Sequence, residues 1–509
     1  MVRDRVQAAG ALPRRRFNGL YFNPMTRVTR RSEVANQISE PDQPAAAAGH
    51  QFVLASLIEQ GEIDTVLCVM TDIWGRLVGK RVTAHAFYET FLDPDRRTGE
   101  LAASLYLFCV DLDMEPLDGF ALTSWDKGFH DFHLVPDLMT ARVVPWLEKT
   151  ALVICDAEYE DGAAVEVSPR QMLRRQLARA RELGLIVQCA SELEFFLFTD
   201  SYEDAWDRSY QSLKPLSKYR SDYHIFQTSK HEDLIRRIRN SMDAAGVSIS
   251  ASKGEWGLGQ QEINLQHVDA LEMADRHAIY KNGVKEMVAQ QGWSATFMAK
   301  WNPGEIGSSF HLHSSAWEQD GRRSQMTATD DERCRDLSEL GQRYLAGVMA
   351  TARDMAWLNA PFANSYRRYE AGSFAPTTLT WGYDNRTCSF RLVGSGESLH
   401  LENRIPGADA NPYLVMAASV AGLVYGFENR LEAPAMHRGN AYKAVSLGKL
   451  PTSLAEAVSC LRESTVSREA FGEEVWQHLV TLASHEERIT AGLRESGPAW
   501  ELQRYFERV

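Results

Sequence analysis

The sequence is poor in the features that mark secreted, membrane-spanning and nucleic-acid-binding chains. Its seven cysteines are scattered through 509 residues with no Cys-x-x-Cys pair, so they read as reduced thiols of a cytoplasmic protein. Long apolar runs are missing: the best, residues 412–427, falls short of the roughly 20 residues that cross a bilayer and reads as a buried helix. Positive charge is not in excess, the formal net charge being −13, which argues against a nucleic-acid partner. There is no internal repeat and no low-complexity tract beyond Ala45-Ala46-Ala47-Ala48. Residues 1–50 contain Arg3, Arg5, Arg14, Arg15, Arg16, Arg27, Arg30 and Arg31, with few acids and no apolar core for a signal peptide. That segment is expected to be a flexible Arg-rich leader, or an extension ahead of a start at Met25, in preference to the transit peptide that its composition would also allow.

What is present is a set of short acidic and basic motifs. Ser168 as N-cap, Pro169 in the first turn and Gly184 past the end predict a helix. The apolar run that follows, residues 185–198, reads as a strand. Alternation along a strand puts Glu192 and Glu194 on one face. Adjacent carboxylates repel unless a cation lies beside them, and oxygen ligands suit Mg²⁺ or Mn²⁺. The plainer alternative is an acidic pair on a solvated face, against which the strongly apolar flanks weigh. Between Glu255 and Glu262, Gly257 and Gly259 allow a tight turn that brings two more carboxylates together. His311 and His313 share a face of a further strand beginning near Gly307, an alternation that by itself is more often structural. Arg386, Arg391, Glu402 and Arg404 fall in two extended segments, and arginines so spaced can clamp phosphate or carboxylate.

In this order the motifs resemble the glutamine synthetase family, from about Ile63 to the C-terminus. The most specific stretches are Asn364-Ser365-Tyr366-Arg367-Arg368, Ala375-Pro376 and Gly407-Ala408-Asp409-Ala410-Asn411-Pro412-Tyr413-Leu414. The resemblance implies an α+β chain: a small β-grasp domain at residues 51–152 and a catalytic domain at 153–509 whose antiparallel sheet forms an active-site funnel. It implies two divalent cations. Glu194, Glu255 and Glu262 match the ligands of the metal that orders the acyl substrate; Glu192, His311 and Glu402 match those of the metal that holds the ATP phosphates. Arg386 and Arg391 match residues that stabilise the transferred phosphoryl group, His313 a nucleotide contact, and Arg368, Arg404 and Gly307 the glutamate site. Glu255 is the candidate base. The implied reaction is ATP-dependent amide formation from L-glutamate and an amine, in a ring-forming homo-oligomer with active sites between subunits.

Departures from the pattern shift the expected amine. Val78, Phe374 and Ile306 stand where ordinary glutamine synthetases have an ammonium-binding Asp, a proton-accepting Glu and a substrate-contacting Asn. Replacing two anions by apolar side chains removes cation binding and adds burial energy. The chain is therefore most similar to the γ-glutamylamide synthetases, which join glutamate to organic amines, and an apolar or aromatic amine is predicted over ammonia or a polyamine. A glutamine synthetase proper and a non-catalytic relative are the alternatives. No adenylylation loop is found, and Tyr442 reads as structural.

Overall fold

In the computed structural model the described residues are 53–93, 99–444, 448–493 and 499–509. The Arg-rich leader lies outside them. The first sheet is built from β1 (Thr65–Thr71), β2 (Leu77–Thr83), β3 (Ala102–Ser104), β4 (Asp131–Pro136), β5 (Arg142–Val143) and β6 (Thr150–Glu158), in the order β2-β1-β6-β4-β3 with β5 also on β6. Strands β1 and β6 run parallel; every other pairing in it is antiparallel. The turn at Trp74-Gly75 closes the β1–β2 hairpin as its composition predicts, with Gly75 at φ +83°. β2 lies at the edge of the sheet, its middle residues exposed.

The second sheet has nine strands: β7 (Leu185–Phe198), β8 (Ile249–Gly254), β9 (Gln260–Leu265), β10 (Val268–Asp269), β11 (Ser294–Thr296), β12 (Phe310–Glu318), β13 (Trp381–Tyr383), β14 (Phe390–Val393) and β15 (His400–Asn403). Its order is β13-β14-β15-β12-β7-β9-β8, with β10 and β11 on β7. The described helices of ten or more residues are α1 (Pro169–Glu182), α2 (Glu232–Ala244), α3 (Ala270–Ala289), α4 (Glu339–Thr351), α5 (Pro412–Glu428), α6 (Leu454–Glu463) and α7 (Glu473–Leu493). α1 begins at Pro169 as expected, although the Ser168 side chain makes no capping hydrogen bond. The region expected to be helical after residue 454 is α6, a short helix Thr465–Phe471, and α7.

The amphipathic logic is clearest in β7. Its odd-numbered residues from Leu185 to Leu197 are buried, and on this face the Ser191 hydroxyl meets His277 Nδ1 of α3 at 2.8 Å. The even-numbered face carries Gln188, Glu192 and Glu194 and is left for chemistry. α5 is apolar nearly all round and buried on most of its length, as a core helix should be. It approaches α4 so closely that a Cβ on Gly347 would lie 1.9 Å from the carbonyl oxygen of Gly422, so only glycine fits that crossing. Among the described residues, no helix is long and apolar enough to cross a membrane.

The two sheets are tied together by specific polar contacts. Asn411, which caps α5, donates to the carbonyls of Asp72 (3.1 Å) and Ile73 (3.0 Å) at the end of β1. Trp74 is buried against Phe362, ring centroids 5.4 Å apart. Arg170 of α1 is buried among Asp137, Asp156 and Asp275, an arrangement whose loss of one partner would strand a buried charge.

Candidate active site

Strand register converts scattered acids into two compact groups. Glu192 of β7 lies opposite His311 of β12, and Glu194 opposite Glu262 of β9. Glu402 of β15 lies opposite His313 on one side and Arg391 on the other. Glu255 follows β8 directly and is folded over β9 by the turn that ends at Gly259. That glycine is at φ +78°, where a Cβ would sit 2.8 Å from the Leu197 carbonyl oxygen. The outcome is one triad of Glu192, His311 and Glu402 and another of Glu194, Glu255 and Glu262, each with ligand atoms within 4.8 Å of one another. The two triads are neighbours because Glu192 and Glu194 share one face of one strand. The solvated-face alternative fails: Glu194, Glu262 and Glu402 are all buried.

Hydrogen bonds hold the carboxylates in place. Gln260 Nε2 and the Ser309 amide donate to Glu194 Oε2 at 3.1 and 2.9 Å. Asn264 Nδ2 bridges Glu192 Oε2 (3.0 Å) and Glu262 Oε1 (3.2 Å). Arg391 Nη1 donates to Glu402 Oε2 at 2.9 Å, and Arg404 pairs with the same carboxylate. Lys253 pairs with Glu255 and reaches Asp222 at 3.2 Å.

Electrostatics separates the triads. In the all-carboxylate group, burial and then the neighbouring Glu255 push Glu194 up to about 8. Burial, followed by Glu192 and Glu255, pushes Glu262 up to about 11. In the other group burial also opposes charge, but Arg404 and then His313 overcome it and hold Glu402 at about 2. Burial and Arg404 lower His311, so its ring stays neutral and able to ligate. Its buried Nε2 has no hydrogen-bond partner. Crowded carboxylates that favour a proton, beside a neutral imidazole with a free ring nitrogen, suit hard divalent cations.

Glu192, His311, Glu194, Glu255 and Glu262 face a cavity of about 390 Å³, lined also by Ile306, Gly307, Phe374, Arg386, Arg391 and Arg404. A second cavity, of about 750 Å³, shares Glu192, Tyr223, Lys253 and Glu262 with the first and is lined by His313, His400 and Trp317. His313 Nδ1 contacts His400 Nε2 at 2.9 Å. The two spaces meet at the residues they share, which include one acid from each triad.

Two expected residues lie elsewhere. Val78 is half-buried on the edge strand β2 and does not line the acidic cavity of its own chain. Arg368 lies beneath the cavity: it donates to Ser309 Oγ (3.2 Å) and to the carbonyls of Arg404 (3.3 Å) and Pro406 (2.8 Å). Its side chain also packs on Gly307, where a Cβ would meet Arg368 Cγ at 2.5 Å. Sequence reasoning missed Gln260, Asn264, Lys253 and Asp384, the last paired with Arg391. For Gln260 and Asn264 a signal existed, since with Glu262 they form a polar series of period two along β9. Tyr442, expected to be structural, donates from its hydroxyl to the Ala375 carbonyl at 3.0 Å.

This geometry has relatives. Residues 166–505 match the model of the glutamine synthetase catalytic domain. The chain is 43% identical over 457 residues to the γ-glutamylethanolamide synthetase GlnA4 of Streptomyces coelicolor, covering 90% of this chain and 95% of that one. It is 38% identical over 453 residues to the glutamate–isopropylamine ligase of a Pseudomonas species, covering 88% and 96%. The glutamine synthetase of Thermus thermophilus is 32% identical over 393 residues, covering 74% and 83%. Among solved structures, the ADP complex of GmaS matches with a TM-score of 0.74 at 26% identity, over 88% of this chain and 98% of that one. Six ligand-type side chains gathered in two triads, in a chain matched by the family model over residues 166–505 and by a relative over 90% of its length, lead to one assignment: the protein belongs to the glutamine synthetase family.

Proposed function

We propose that this protein is an ATP-dependent carbon–nitrogen ligase that joins the γ-carboxylate of L-glutamate to an organic amine through a γ-glutamyl phosphate. The observation that carries the reading is the pairing of two metal-type triads with an apolar rim. Phe374 and Ile306 face the same cavity as five of the six ligands, the sixth, Glu402, being buried behind Arg391 and Arg404. The names of the two relatives at 43% and 38% identity, an ethanolamide synthetase and an isopropylamine ligase, support it.

The chemistry follows from the groups present. A carboxylate is a poor electrophile because its leaving group would be oxide, so one γ-carboxylate oxygen first attacks the γ-phosphorus of ATP and ADP leaves. The amine then attacks the acyl carbon and inorganic phosphate leaves. Glu192, His311 and Glu402 would hold one Mg²⁺ or Mn²⁺, and Glu194, Glu255 and Glu262 the other; bound there, the ions supply positive charge to the phosphates and the acyl group. Arg386, Arg391 and Arg404 border the same space and add charge where the phosphoryl group moves. His313 lines the larger cavity, which we assign to the nucleotide. Arg368 shapes the glutamate end by fixing Gly307 and residues 404–406. An alkylammonium, with a pKa of roughly 10.4, must lose a proton before it attacks; Glu255 is placed to take it. Val78 belongs on this reading to the neighbouring subunit's site, as in a ring whose small domain, residues 51–152, completes the adjacent catalytic domain, 153–509. The unpaired cysteines support a cytoplasmic location.

Phosphate release with glutamate and ATP, measured across ammonium, isopropylamine, ethanolamine and aniline, tests the reading. An organic amine is expected to give the highest kcat/KM; ammonium as the best substrate would restore glutamine synthesis, and silence with all four would favour a non-catalytic relative.

Cation binding is expected to be pH-dependent. Glu194 at about 8 and Glu262 at about 11 lie above the ordinary unfolded carboxylate value of about 4.3. The metal-free fold therefore binds extra protons. Their stabilising effect is complete below about pH 4 and is lost as pH rises, through about 8 for Glu194. A divalent ion displaces these protons, so the increase in melting temperature caused by Mg²⁺ or Mn²⁺ should grow from about pH 6 to about pH 8. Differential scanning fluorimetry reads this directly, and an increment that does not change with pH would contradict it.

A further inference from the structure

Trp256 is 43% exposed and Phe374 51% exposed, yet both rings line the acidic cavity. They form a corner, with centroids 6.3 Å apart and planes at 63°. Neither ring is required by the core, and both are held in place from behind. Trp256 sits on the turn between β8 and β9, its amide donating to Glu255 Oε2 at 3.2 Å. The guanidinium of Arg220 lies 4.8 Å from its ring centre and donates to its carbonyl at 3.0 Å. Phe374 is at φ +61°, a left-handed conformation uncommon for an aromatic residue. Its carbonyl accepts from Arg404 at 3.2 Å. Side chains left half-exposed in a cavity by a supported backbone point to a ligand that covers them.

We propose that Trp256, positioned by Arg220, is the principal determinant of amine specificity, and that the Trp256–Phe374 corner receives the substituent of a monoamine with a compact, uncharged alkyl or aryl group. This rests on the amide-ligase reading above. The adjacent Glu255 places the amine nitrogen at the base while the substituent lies against the two rings. The cationic face of Arg220 behind the corner disfavours a second ammonium, which excludes diamines as good substrates.

The test compares wild type with Trp256→Ala, Trp256→Phe and Arg220→Ala, using isopropylamine, ammonium and 1,4-diaminobutane as probes and size-exclusion chromatography alongside. In W256A the ratio of kcat/KM for isopropylamine to that for ammonium should fall at least tenfold through the amine KM, with the KM for glutamate and ATP within about twofold. W256F should restore most of the ratio. R220A should lower it partially and improve 1,4-diaminobutane relative to isopropylamine. An unchanged ratio in W256A, in an enzyme whose wild type prefers isopropylamine, overturns this inference alone. A smaller oligomer with all three KM values raised together assigns Trp256 to assembly and also overturns it. A wild type that prefers ammonium overturns both this inference and the reading on which it rests.

Discussion

Glu402→Gln should lower the turnover of amide formation by about 10³-fold, a barrier increase of about 4 kcal/mol, while leaving the protein folded. The magnitude follows from how much converges on this carboxylate. It is fully buried, pairs with Arg391 and Arg404, and lies 3.7 Å from His311 Nδ1. Glutamine keeps the size and one acceptor oxygen, so the arginines are not left without any partner, as they would be in an alanine variant. What it loses is the negative charge that a divalent cation requires. Interactions made mainly with the transferring phosphoryl group are felt in kcat more than in KM, so single-turnover phosphate release is the measurement. Circular dichroism of the variant should match wild type. A loss under tenfold would mean that Glu402 only organises the two arginines.

The second large effect is a change of substrate. Val78→Asp combined with Phe374→Glu should raise the ratio of kcat/KM for ammonium to that for an organic amine by about 10²-fold, through two carboxylates where a small cation would be held. Phe374 alone acts within its own cavity. Val78 does not line that cavity, so its contribution should appear only in the assembled oligomer. Mixing Val78→Asp protomers with Glu402→Gln protomers should therefore yield hybrid sites in which an intact Glu402 stands beside a wild-type Val78, and the active sites should shift back toward the organic amine. The contrary result, a ratio unmoved by the double substitution, would remove both residues from the amine site.

Much of the active face was legible from local pattern. Glu192 and Glu194 follow from the alternation of β7, and Gln260, Glu262 and Asn264 carry the same signal along β9. What local pattern does not contain is register. Glu192 meets His311 across 119 residues, and Glu402 meets His313 across 89. Such pairings are decided by packing of the whole sheet; only the order of motifs, compared with a family, gives them in advance. Arg368 shows the opposite case. An arginine in a polar motif reads as a ligand-binding group, but here Nη1 donates to Ser309 Oγ and Nη2 to backbone carbonyls, and nothing in its neighbours along the chain signals that. Trp256 was hidden for a simpler reason: a tryptophan beside glycines looks like a core residue until its exposure and its contact with Phe374 are seen.

Six side chains holding two ions are the basis of the proposed chemistry. Crystals grown with Mn²⁺ and ADP, with anomalous data collected at the manganese edge, test this most directly. Two peaks per protomer are expected, one bonded to Glu192, His311 and Glu402 and the other to Glu194, Glu255 and Glu262, each at about 2.0–2.3 Å from its ligand atoms. Full occupancy elsewhere, or a site bounded by the two triads that stays without manganese at saturating concentration, would contradict it.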